Sequence, residues 1–134
     1  MKRGFTLIEL MVVIAVIGIL STMALFGIGK VQASARDSQR QTIMNGIRAA
    51  LERYYGDNQA YYTAVNNFCG LTTALVTGLY LPSQPVDPST KAAICGTGNP
   101  VAGGATYTYA GAATSYTLTL NKESGGVNTF TSPQ

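Results

Sequence analysis

The chain has 134 residues, nine basic and six acidic side chains, a formal net charge of +3 and only 11% charged residues. Without Lys2 and Arg3 at the very start, seven basic side chains face six acidic ones, too small an excess to attract nucleic acid by charge. His and Trp are absent, and a chain lacking the commonest general base, which is also a frequent metal ligand, is a poor candidate for an enzyme.

Phe5 to Gly29 is a run of 25 residues with a single charge, Glu9. As a helix rising ~1.5 Å per residue the run would measure roughly 37 Å, enough to cross a hydrocarbon core of ~30 Å. Lys2 and Arg3 lie before it, so the positive-inside tendency puts the N-terminus in the cytoplasm and the residues after Lys30 outside. A cleaved secretory signal is the competing reading. Ala33-Ser34-Ala35 offers an A-x-A-like site, and a cut there would release a soluble secreted binding protein starting at Arg36. The run exceeds the ~7–15 apolar residues of such a signal, and Glu9 near its start is out of place in one.

The stretch Gly4-Phe5-Thr6-Leu7-Ile8-Glu9 follows a short basic leader and leads into the apolar run and a long polar helix. In this it resembles the processing motif of type IV prepilins and pseudopilins, over roughly the first 60 residues. The resemblance implies that a prepilin peptidase in the membrane removes residues 1–4, cutting between Gly4 and Phe5, and methylates the new amine of Phe5. This chain would then be a substrate and no catalyst. It also implies a structural subunit held in the cytoplasmic membrane as a single-pass protein with its head outside. A membrane assembly platform protein would polymerise it, with identical and related pilin subunits, into a cell-surface, extracellular filament. The lipid bilayer is a partner before assembly; nucleic acid is one only indirectly, in DNA uptake. The alternative within the resemblance is a pseudopilin of a type II secretion or DNA-uptake system. No cofactor and no metal are implied.

The motif gives Glu9 a role. Four residues are about one helical turn, so after the cut the Phe5 amine and the Glu9 carboxylate lie ~6 Å apart along the axis. A carboxylate at the centre of a membrane helix costs about 2.5–3.5 kcal/mol, less near an end, and persists where a partner offsets that cost. The resemblance implies that this partner is the Phe5 amine of a neighbouring subunit. At Gly4 the missing Cβ lets a peptidase approach the backbone closely.

From Lys30 the pattern turns amphipathic, with Ile43, Ile47, Ala50, Leu51, Tyr54 and Tyr55 forming a helical stripe. Arg48 and Glu52 fall toward the other side, and Arg53 and Asp57 offer an i,i+4 pair. Arg36 and Arg40 share a face, Asp37 can pair with Arg40, and the basic residues of this stretch suit a solvated or inter-subunit role. No proline precedes Pro82, so one helix can run from Phe5 to Asn58. Gly18, Gly27 and Gly29 interrupt its apolar half, either to let helices pack closely or to let this stretch melt on assembly.

Residues 56–70 read as the helix end and a loop, Leu71 to Leu79 as a short helix, and Pro82, Pro85 and Pro88 as a break in regular structure. Strands are expected at Thr106–Ala110, Ser115–Leu120 and Val127–Thr131, with turns at Gly111–Thr114 and Lys122–Gly126. If the head is exported, Cys69 and Cys95 can close a loop of about 27 residues with a disulfide, contributing ~3 kcal/mol; two unpaired thiols are the other reading. The expected fold is α+β. A long N-terminal helix, transmembrane over 5–29 and amphipathic over 30–58, packs on a small antiparallel sheet of about three strands within a head spanning 59–134.

Overall fold

Helix α1 runs unbroken over Leu7–Asn58 because nothing in those 52 residues is a proline. The computed structural model describes residues 4–65, 67–94 and 105–133, with the backbone alone at 23–27 and 65. The chain divides into two units, Met1–Gln32 and Ala33–Gln134.

In the first unit the large apolar side chains of α1 are uncovered, from 79% exposed at Phe5 to 46% at Val13. Its hydroxyls turn inward: Ser21 donates to the Ile17 carbonyl and Thr22 to that of Ile19, each at 2.7 Å. Such back-bonding leaves no hydroxyl seeking water on an otherwise apolar stretch. Among the described residues no helix is long and apolar enough to cross a membrane. The described apolar side chains stop at Thr22 and resume at Ile28, short of the ~20 that a crossing needs.

In the second unit Met44, Ile47, Ala50 and Leu51 of α1 are buried, and Ile43, Tyr54 and Tyr55 lie half-buried beside them, so the expected stripe is the core face. Helix α2, Phe68–Thr77, buries Phe68, Leu71 and Leu75 and begins three residues earlier than its sequence suggests. The Asn67 side chain accepts from the Gly70 amide at 2.7 Å and fixes that start. The sheet is antiparallel in the order β1-β2-β3-β4. The three expected strands form as β2 Thr106–Gly111, β3 Tyr116–Asn121 and β4 Val127–Thr131. A two-residue β1, Ala64–Val65, adds a fourth against Gly111 and Ala110. Pairing of Tyr107 with Leu120 and Tyr109 with Leu118 points all four side chains into the core, as period-two alternation requires. Gly125 and Gly126 adopt φ of 96° and 88° in the β3–β4 turn, a region where a Cβ would be strained.

The basic residues depart from expectation. Arg40 is fully buried instead of solvated. It bonds Asp37 at 2.9 Å, as its i,i+3 spacing allows, and also Asp87 at 2.8 Å and Glu123 at 2.9 Å. A guanidinium offers five donors, and this site supplies enough acceptors to offset its burial. Glu52 does not face away either. It accepts from the Tyr61 hydroxyl at 2.9 Å and the Tyr116 hydroxyl at 2.8 Å. Burial, followed by the bond to Glu52, pushes both hydroxyls up to about 12, so they stay donors. Arg48 lies half-buried with its guanidinium carbon 5.5 Å from the Phe130 ring centre. Asp57 accepts from Tyr80 at 2.9 Å, and among the described residues it makes no ion pair with Arg53.

Asp37 ties pH to stability. Burial pushes its carboxyl up, but hydrogen bonds from Ser124, Glu123 and Arg40 outweigh this and bring it to about 2. A depressed carboxylate stabilises the fold above its unfolded value of 3.8, and that contribution is lost as pH falls toward 2. The thermal midpoint of the head should therefore drop between these values. Asp37→Asn should lower the midpoint at neutral pH and flatten its acid dependence, as followed by circular dichroism; an unchanged acid limb in the variant would contradict this.

Candidate functional site

Gly4, Phe5 and Thr6 precede α1 without helical structure, and the chain turns helical at Leu7. A capping box sets that boundary. Glu9 Oε2 accepts from the Thr6 amide at 2.8 Å and from the Thr6 hydroxyl at 2.6 Å. The Thr6 hydroxyl oxygen accepts from the Glu9 amide at 3.4 Å, the longest contact of the set. These bonds satisfy donors that a helix start leaves unpaired, and they place a negative charge at the positive end of the helix dipole. The signal was present in the sequence as Thr-x-x-Glu ahead of an apolar run, yet Thr6 is not among the residues that the sequence reading selects.

Phe5, Ile8, Glu9, Val12 and Val13 share one side of the helix and line a shallow cavity of about 370 Å³. Glu9 is the sole charge among apolar walls. Among the described residues only Thr6 contacts its carboxylate, and only through Oε2. The first unit thus presents an apolar groove holding a carboxylate with one oxygen that no described residue engages. Such a group can accept a cationic donor supplied from outside the chain.

Gly4 is not demanded by its own surroundings. A Cβ built there would meet nothing within 4 Å, and its φ is not positive. Any need for glycine at this position comes from something that binds it. The same openness holds at Gly18 and Gly29. Cys69 stands in the first turn of α2 and is disulfide-bonded. Cys95, the other cysteine of the sequence, lies outside the described residues.

The box itself can be tested. Thr6→Val keeps the side chain's size and removes its hydroxyl, so the first turn should lose about 1 kcal/mol. Amide exchange at Ile8 and Glu9 should quicken in detergent micelles; unchanged exchange would show that the hydroxyl contributes nothing there.

Residues 1–25 match the family model described as the prokaryotic N-terminal methylation motif. The chain is 39% identical over 85 residues to the fimbrial protein EcpC of Eikenella corrodens, covering 63% of this chain and 54% of that protein. It is 38% identical over 65 residues to the type IV major pilin protein PilA of Myxococcus xanthus, covering 48% and 30% respectively. To the type IV major pilin protein PilE of Neisseria gonorrhoeae it is 33% identical over 88 residues, 65% of this chain and 52% of that one. The chain thus spans about half the length, or less, of these relatives. No solved structure matches it at a significant level. The segment that holds Gly4-Phe5-Thr6-Leu7-Ile8-Glu9 thus matches the prokaryotic N-terminal methylation motif, and the chain is similar over 65 to 88 residues to fimbrial proteins and type IV major pilins.

Proposed function

We propose that this protein is a structural subunit of a type IV pilus-like filament, cut between Gly4 and Phe5 and methylated on the new Phe5 amine. The observation that supports the reading is the pairing of two features in one groove: an exposed apolar surface, and a Glu9 carboxylate that, among the described residues, only Thr6 contacts. Lipid would cover that surface before assembly and the helices of neighbouring subunits afterwards. The helix would then sit across the cytoplasmic membrane with Lys2 and Arg3 on the inner side. In the filament Glu9 would accept from the Phe5 amine of a neighbour, which brings opposite charges together where water is scarce. Apolar contact alone lets two helices slide past one another. A single charge pair in an apolar seam gives the contact one register. The peptidase and the assembly platform protein would be its membrane partners, and Cys69 would pair with Cys95 once the head is exported.

A soluble product released after Ala35 is disfavoured by the same structure. Ala33, Ser34 and Ala35 lie within unbroken helix, and Arg36 just beyond them is tied to Glu123 by a charged pair.

Mass spectrometry of the exported protein should give a mature chain starting at N-methyl-Phe5; a start at Arg36 would overturn the proposal. Glu9→Ala should be processed and inserted normally but yield no fibres by electron microscopy, and normal fibres would refute the inter-subunit pair. Gly4→Leu, at a position where an added Cβ meets nothing within 4 Å, should accumulate as uncut precursor on immunoblots; wild-type processing would reject close backbone approach by the peptidase.

A further inference from the structure

Along α1 the described side chains stay exposed up to Gln32, and Ala33, Arg36 and Asp37 are the first that are not. At that turn of helix two loops of the head converge. The β3–β4 turn donates its Glu123 and Ser124 amides to Asp37 at 3.0 and 2.8 Å. It also sends the Glu123 carboxylate back to Arg36, with Nε at 2.9 Å, and to Arg40 at 2.9 Å. The exchange is reciprocal, so neither the turn nor the helix can leave without breaking bonds of both kinds. The second loop is the hairpin closed by the Val86–Ala93 bridge. It supplies Asp87 to Arg40 through two nitrogens at 2.8 and 3.2 Å, with Ser89 at 3.1 Å and the Tyr107 hydroxyl bracing Asp87 at 2.8 Å.

We infer that this cluster is a clasp that stops the unwinding of α1. A helical stretch with no packed face is held by propensity alone, and it opens turn by turn once an end has frayed. Glycine weakens such a stretch by about 1 kcal/mol relative to alanine, and a Cβ built at Gly18 or Gly29 would meet nothing within 4 Å. Opening that reaches Arg36 must break its pair with Glu123. To pass Arg40 it must pull a fully buried guanidinium away from Asp87 and Glu123 and leave the buried Asp87 carboxylate without its cation, a costly loss for a fold. The first fully buried apolar side chain of α1, Met44, comes a turn later, so the charges and not the apolar core set where unwinding ends. The clasp belongs to the single chain, and its test does not depend on fibre formation. In a fibre joined through residues 5–29, tension would enter the head at this turn; that consequence, unlike the clasp, rests on the filament reading.

Hydrogen exchange of the full-length protein in detergent micelles tests it residue by residue. The unaltered chain should show a step in protection just beyond the apolar run, with fast amides over residues 31–35 and slow ones from Arg40 onward. Glu123→Gln, and independently Arg36→Gln, should move that step about one turn toward Met44. Amides 40–43 should gain about tenfold in rate, the effect of losing a charge-assisted hydrogen bond, while Ile47 and Leu51 keep theirs. A step that stays in place in both variants overturns the inference. A rise that reaches Ile47 and Leu51 equally also overturns it, because the cluster would then serve global stability and not mark a local stop.

Discussion

An uncovered apolar surface governs this protein. From Phe5, just before α1, to Leu20 large apolar side chains stand exposed, with no described residue packed over them. A soluble domain closes such a surface against another of its own elements. Here the head is complete without it: Met44, Ile47 and Leu51 of α1 are covered by α2 and the sheet, and no described apolar side chain of residues 5–22 joins that core. The first unit therefore depends on something outside the chain, and lipid and like helices meet the same physical requirement.

Glu9 gives that surface a direction. The capping box engages one carboxylate oxygen and sharpens the helix start, so the charge has a partner while the subunit stands alone. Among the described residues this partner is close but engages only one oxygen. It keeps the monomer free of an unsatisfied charge and leaves acceptor capacity on the other oxygen. Thr6 and Glu9 thus act together, with Thr6 holding Glu9 beside the groove formed by Phe5, Ile8, Val12 and Val13.

The head solves a different problem with the opposite chemistry. Its acids at 37, 87 and 123 come from three separate segments and meet at Arg40. With few charges in the whole chain, this concentration in one buried place leaves much of the remaining surface to Thr, Ser, Gly and Tyr. The tyrosines add cohesion through ring contacts, such as Tyr61 with Tyr116 at 4.8 Å and Tyr54 with Tyr80 at 5.3 Å.

Features that depend on neighbours along the chain were legible without coordinates. The apolar run, the absence of proline through Asn58, the core stripe of α1 and the strands β2 to β4 follow from local period and local chemistry. The short β1 was not legible, because two residues become a strand only when Gly111 and Ala110 lie beside them. Arg40 and Glu52 were misplaced for a related reason. A charge counts as solvated until the fold brings acceptors or donors to it, and Asp87, Glu123, Tyr61 and Tyr116 lie 9 to 83 residues away along the chain. The sequence by itself determined that one end of this molecule needs an apolar environment, since hydropathy is a property of the residues present. Only the tertiary structure decided which charges are buried and which loops they hold, since those depend on distances between segments that no local pattern records.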